Sequence, residues 1–155
     1  MVAKAINGSA ALVFGGTAGI GYASAEALLR QGLPQLVIVG RNAAKGESAR
    51  GQLASAFPQA DIRFMACDAT QPEQVKTTVD AAAEQMGAID ILVSSAGGDP
   101  MPRLLHTIPL DEVMPTLTQI SSGVILPARA VLPHMTKQGG GAVICFASDA
   151  AKIAT

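Results

Sequence analysis

One segment constrains this chain more than any other: Gly15-Gly16-Thr17-Ala18-Gly19-Ile20-Gly21. It follows the compact apolar run Ala10 to Phe14 and opens a stretch, Ile20 to Arg30, with apolar residues at helical spacing. The run reads as a buried strand and the stretch as a helix, with Ile20, Ala23, Ala27 and Leu28 as the stripe expected to face inward. Each glycine has a separate reason to be there. Gly15 permits a turn that a β-carbon would obstruct, Gly19 lets the backbone approach an anion, and Gly21 lets the helix lie close to the strand. Unsatisfied N–H groups at the start of a helix carry about +0.5 of a charge, so the unit suits a pyrophosphate. The spacing Gly-x-x-x-Gly-x-Gly differs from Gly-x-Gly-x-x-Gly, and the absence of a following Gly-Lys-Ser/Thr excludes a P-loop.

The same strand-then-helix rhythm continues. Leu36 to Val39 is β-branched and continuous, a second strand. Residues 43–57 are rich in Ala, Lys, Glu and Arg and end at Pro58, a second helix. A third strand covers 61–66. A helix over 71–86 sets Val75, Val79, Ala82 and Met86 on one face and stops at Gly87. A fourth strand spans 89–94, and 100–109 reads as loop. The pattern from Leu110 to Lys137 is helical but contains Pro115, Pro127 and Pro133. An interior proline costs about 3 kcal/mol of helix stability, so kinks or separate pieces are expected there. Gly139 to Gly141 form a break, and 142–147 a fifth strand. Apolar strands alternating with helices require a parallel sheet covered on both faces, which predicts an α/β doubly wound (Rossmann) fold.

Composition narrows the function classes. A chain of 155 residues can form one domain with a core. With 49% hydrophobic and 15% charged residues it is not of the disordered class. A net charge of -1 and 3% aromatic residues give neither a field nor a stacking platform for nucleic acid. The first nine residues lack the pattern of a signal peptide, and no apolar run approaches the ~20 residues of a membrane span. A cytoplasmic protein is expected, with Cys67 and Cys145 reduced and buried as small apolar side chains. His106 and His134 have no companions at metal or triad spacing, so no metal is expected.

The glycine spacing resembles that of the short-chain dehydrogenase/reductase family, whose motif is Thr-Gly-x-x-x-Gly-Ile-Gly, with Phe14 here in place of the Thr. The resemblance runs along the chain. Asp68 matches the family Asp at the adenine ring, and Ser94-Ser95-Ala96-Gly97 matches Asn-Asn-Ala-Gly with both asparagines changed to serine. Leu132-Pro133-His134-Met135, the triple glycine and the fifth strand keep the family order. The resemblance implies strand order 3-2-1-4-5 and a nicotinamide cofactor held by Gly15, Gly16, Thr17, Gly19, Ile20, Gly21, Arg41, Asn42, Asp68, Ser95, Ala96 and Gly97. It also implies hydride transfer between that cofactor and a small-molecule carbonyl or alcohol.

For catalysis it implies a Tyr lowered by a Lys, a Ser and an Asn. Ser148 matches the Ser. The Asn position falls on Ile120, which cannot hold a water. The one tyrosine, Tyr22, sits beside the glycine loop with Glu26 four residues on, so the family's Tyr-x-x-x-Lys is expected beyond Thr155. Residues 1–155 would then be a single cofactor-binding domain, incomplete at its C-terminus and inactive by itself. A second reading is a non-catalytic module that binds or senses NADP(H), and a third is a fold without ligand. The fifth strand would leave a bare edge, expected to be covered by another chain or by further polypeptide, in keeping with a homo-oligomer.

The end of the second strand, Gly40-Arg41-Asn42, bears on which nicotinamide cofactor is preferred. An acidic residue in this slot would bond the ribose 2′-OH of NAD. A carboxylate 4 Å from a 2′-phosphate would cost about 4 kcal/mol at an effective dielectric of ~20. Gly40 supplies no carboxylate, and Arg41 can make charge-assisted bonds to a phosphate, so NADP(H) is expected.

Overall fold

The computed structural model describes residues 5–97 and 104–146. The elements follow the expected order: β1 (Ala10–Phe14), α1 (Gly19–Arg30), β2 (Gln35–Gly40), α2 (Ala43–Ala56), β3 (Asp61–Ala66), α3 (Pro72–Met86), β4 (Ile91–Ser94), α4 (Leu110–Lys137) and β5 (Ala142–Cys145). The strands form one parallel sheet in the order β3-β2-β1-β4-β5. The register aligns Leu12 with Val37 on one side and with Leu92 on the other. The order in which strands are added therefore reverses between β1 and β4, where an open α/β sheet leaves a crevice at the carboxyl ends of its strands.

Alternation along β1 shows why its sequence is wholly apolar. Leu12 and Phe14 enter a core with Val75, Val79, Val131 and Met135 of α3 and α4. Ala11 and Val13 enter a second core with Ala25 and Leu29 of α1 and Leu53 of α2. Successive side chains point to opposite faces, so a strand covered on both must be apolar throughout.

Several expectations are corrected. The inward stripe of α1 is Gly21, Ala25 and Leu29, while Ile20, Ala23 and Ala27 are exposed and Leu28 half-buried. The close approach at Gly21 fixes the helix rotation, which turns Ile20 outward. α4 is one continuous helical run through Pro115, Pro127 and Pro133. Pro127, Val131 and Met135 are buried along it, so packing against α3 and β4 outweighs the missing N–H groups. The segment read as loop before α4 contains a short 3-10 turn, Leu105–Thr107. β4 begins at Ile91 rather than 89, because Ile89 is bonded instead to the Gln138 side chain. Cys67 is buried as expected, but Cys145 is exposed because it lies on the outer strand β5, whose four residues are all exposed. Exposed apolar side chains lie on α4, including Ile125 and Leu132, and on β5, at Val143 and Ile144. Among the described residues no helix is long and apolar enough to cross a membrane.

Candidate functional site

The carboxyl ends of β1, β2, β3 and β4 bring the glycine loop, Arg41, Asp68 and Ser95–Gly97 to one end of the sheet. The glycine loop is tied down at its base. Gly15 and Gly16 N–H both donate to the Val39 carbonyl, at 2.9 and 3.2 Å. Ser95 closes the other side, its N–H and Oγ both donating to the Phe14 carbonyl, at 3.0 and 3.1 Å.

The glycines carry different burdens. Gly15 has φ +76° and Gly19 φ +54°, in the left-handed region. A Cβ at Gly21 would lie 2.6 Å from the Gly15 carbonyl carbon and nearer still to its oxygen and to Ser95 Oγ. A Cβ at Gly19 would meet nothing within 4 Å, so the space in front of the α1 N-terminus is open. Ala18, the N-cap, offers no side-chain acceptor, and the first turn holds no acidic residue. The first N–H groups of α1 therefore face that space without a competing anion, and the loop fits a pyrophosphate.

At the end of β2, a Cβ on Gly40 would stand 2.6 Å from Thr17 Cγ2. Thr17 thus occupies the volume that a side chain at position 40 would need. Arg41 is exposed, and its charge helps to lower the Asp68 carboxyl. The larger cause is local: Thr70 donates its backbone N–H and its hydroxyl to Asp68 Oδ1, each at 2.9 Å. Asn42 has a structural task, since its side chain accepts the Lys45 N–H at 2.9 Å and caps α2.

Beyond Thr17 lies a cleft of about 550 Å³ between the starts of α1 and α2. Thr17, Ala18, Gly19 and Tyr22 line one side and Lys45, Ser48 and Gln52 the other. Lys45 and Ser48 were missed by sequence reasoning. Their signal was the spacing from the cap, because a helix that begins after Asn42 turns residues 45, 48 and 52 onto one face.

Ser94 is buried and donates Oγ to the Gly123 carbonyl of α4. A Cβ on Gly123 would lie 2.9 Å from the Ala96 carbonyl carbon, so α4 runs directly against the loop after β4. Ile120, one turn earlier, is 46% exposed. His134 takes no part here. Its Nε2 pairs with Asp80 Oδ1 of α3 at 2.7 Å, one turn before Gln138, which bonds Ile89 at the opposite end of the sheet. His106 is exposed in the short turn before α4. Ser148 and the loop 98–103 lie outside the described residues. No group of His, Cys, Asp or Glu among the described residues is arranged to hold a metal ion.

Comparison with known proteins agrees with this geometry. Residues 9–155 match the family model described as short chain dehydrogenase. The chain is 35% identical over 144 residues to a 7alpha-hydroxysteroid dehydrogenase of Clostridium sardiniense, covering 91% of this chain and 53% of that protein. An NADPH-bound short chain oxidoreductase from Pseudomonas aeruginosa PAO1, with an atypical catalytic center, superposes with TM-score 0.88 at 27% identity over 94% of this chain and 56% of that one. An NAD+-bound xylitol dehydrogenase superposes with TM-score 0.90 at 28% identity, covering 98% of this chain and 57% of that one. The chain thus spans about half the length of the relatives it matches.

Proposed function

The chain belongs to the short-chain dehydrogenase family, and on that premise we propose that it is the NADP(H)-binding part of an oxidoreductase acting on a small-molecule carbonyl or alcohol. The observation that carries the NADP preference is Thr17 packed into the side-chain space of Gly40. A carboxylate at position 40 would have to displace the Thr17 side chain, while Arg41 stands next to it. A 2′-phosphate there meets a cation and no fixed anion.

In this reading residues 1–155 are one cofactor domain. The N–H groups at the start of α1 hold the pyrophosphate, Gly15 and Gly16 keep the loop on β2, and Ser95 ties its base, at Phe14, to the end of β4. Asp68, held ionised by Thr70, fixes the rim where the adenine would lie. Ala96 and Gly97 line the path from the loop toward the reacting end, and Ser148 is assigned to the substrate oxygen. NADP(H), when bound, supplies or accepts the hydride. The exposed apolar surface of α4 and β5 supports burial against another polypeptide, a second copy included.

A second reading, a non-catalytic NADP(H)-binding module, is favoured by Ile120 at the family's Asn position and by Tyr22, whose hydroxyl bonds Gln52 at 3.4 Å on α2. Titration of NADPH and NADH against the protein and Arg41→Ala tests the shared core of both readings. Arg41→Ala should weaken NADPH by about 1.5–3 kcal/mol and leave NADH nearly unchanged. Equal losses for the two cofactors would remove Arg41 from phosphate recognition. Turnover of carbonyl substrates with NADPH by the intact protein separates enzyme from binding module.

A further inference from the structure

The segment Ser94 to Gly97, at the carboxyl end of β4, is held from two sides, and its outermost bond comes from a side chain with no role so far. We infer that Gln119 of α4 is a positioning residue for the nicotinamide half of the cofactor, acting through the carbonyl of Gly97. This inference rests on the dinucleotide-binding reading and is the same for NAD(H) and NADP(H).

Successive residues of the segment turn to different partners. Ser95 faces the glycine loop: its Oγ donates to the Phe14 carbonyl at 3.1 Å, and a Cβ on Gly15 would stand 2.7 Å from that oxygen. Ser94, Ala96 and Gly97 are held by α4 instead. Ser94 Oγ donates to the Gly123 carbonyl, the Ala96 carbonyl lies against Gly123, and Gln119 Nε2 donates to the Gly97 carbonyl at 3.4 Å. Gln119 stands one turn before Gly123 on the stripe that continues through Leu126 and Ala130, which pack on the core. The stripe turns from apolar to polar where it leaves the core and meets the segment after β4. Ile120, the next residue, is exposed and has no hydrogen-bonding side chain to offer.

The place of Gly97 decides which part of the cofactor this bond governs. A dinucleotide lies across the crevice with one nucleotide on each side of the point where the strand order reverses. Arg41 and Asp68 follow β2 and β3, so the adenosine half lies on that side and the pyrophosphate at the start of α1. The other half then lies over the end of β4, where Gly97 is the exposed last residue of the held segment. Without the Gln119 amide the Gly97 carbonyl would bond water, which satisfies the oxygen without fixing its direction. The bond is long and Gln119 is half-buried, so its effect falls on the orientation of the segment more than on the stability of the fold.

The test compares ligands with and without the nicotinamide half. Affinities for NADPH, NADH and 5′-ADP are measured on the full protein, on Gln119→Met, which keeps the length and loses the amide, and on Gln119→Ala. Both variants should bind the preferred dinucleotide about three- to fivefold more weakly, the lower half of the range for a neutral hydrogen bond. Affinity for 5′-ADP, which carries the adenosine and pyrophosphate alone, should stay within about twofold. The nicotinamide emission of bound NADPH should shift in both variants, and the urea midpoint should stay within about 0.3 M. Without ligand, amide hydrogen exchange over residues 94–97 should quicken in Gln119→Met. Unchanged dinucleotide affinity with unchanged exchange would overturn the Gln119 assignment and leave the cofactor reading standing. Equal losses for the dinucleotide and 5′-ADP, or a fall in urea midpoint that accounts for both, would make Gln119 a general support of the fold and overturn it too. If the unaltered protein binds neither NADPH nor NADH, the cofactor reading falls and takes this inference with it.

Discussion

Replacing Gly21 by alanine tests whether the glycine loop is built by contact or by backbone freedom. Gly21 has no positive φ, so Ala is conformationally allowed there. What it lacks is room. The new Cβ would lie 2.6 Å from the Gly15 carbonyl carbon, and closer to the Gly15 oxygen, where ordinary contact begins at 3.4 Å. α1 must retreat from the loop by about 0.8 Å or more, and overpacking of this kind costs about 1–3 kcal/mol. The opposing atoms are backbone, and that backbone is pinned by Gly15 and Gly16 N–H on Val39, so the upper end applies. At a urea m-value near 2 kcal/mol per molar, the unfolding midpoint should fall by about 1–1.5 M.

Two further glycines supply the comparison. Gly19→Ala meets open space but sits at φ +54°, so it should cost about 1–2 kcal/mol from backbone strain alone. Gly51→Ala, in the middle of α2 with nothing within 4 Å, should stabilise by about 0.5–1 kcal/mol. The chain has no Trp and one Tyr, so far-UV circular dichroism is the probe of choice. NADPH affinity should drop in Gly21→Ala well beyond what stability explains, since the loop itself is displaced. A Gly21→Ala protein as stable as the parent, with NADPH affinity intact, would sink the account of the α1–loop contact.

Asn42→Ala removes the α2 cap and should cost about 1 kcal/mol in urea unfolding; no loss would mean the cap bond contributes nothing. The Asp80 carboxyl is held below its ordinary 3.8 by the Lys76 hydrogen bond first and the His134 bond second. A carboxyl depressed in the folded state contributes fully above its unfolded pKa and loses that contribution as pH falls through the lower folded value. The urea midpoint should therefore decline below pH 3.8, and Asp80→Asn should decline less steeply; parallel curves would count against the Lys76–Asp80–His134 link. Asp80 is 44% exposed, so the effect should stay below about 1 kcal/mol.

The sheet was legible because both faces of each inner strand are buried, so Leu36 to Val39 could hardly be anything else. α3 was legible for a related reason: Val75, Val79, Ala82 and Met86 are large or well spaced enough to mark a face. α1 was not. Its true contact face is Gly21, Ala25 and Leu29, and hydrophobicity ranks glycine and alanine too low to outweigh Ile20. The face was set by how closely the helix must approach Gly15, a distance that no periodicity encodes. The same limit hid Lys45. Arg41 was visible because it follows a strand directly, whereas Lys45 reaches the cleft only through the rotation that the Asn42 cap gives α2.

Cys145 and the outer face of α4 show the converse limit. Cys145 was read as buried, yet it is exposed, as are Ile125 and Leu132 of α4, because apolar character states a preference and burial needs a covering element. The cofactor end of the sheet depends on no such cover. The bonds at the base of the glycine loop, to Val39 and from Ser95 to Phe14, sit at the ends of β1, β2 and β4, and these are the strands buried on both faces. Loss or gain of polypeptide beyond β5 should therefore change the α4–β5 surface first and the glycine loop last. This makes cofactor affinity, rather than turnover, the measurement on which residues 5–146 can be judged.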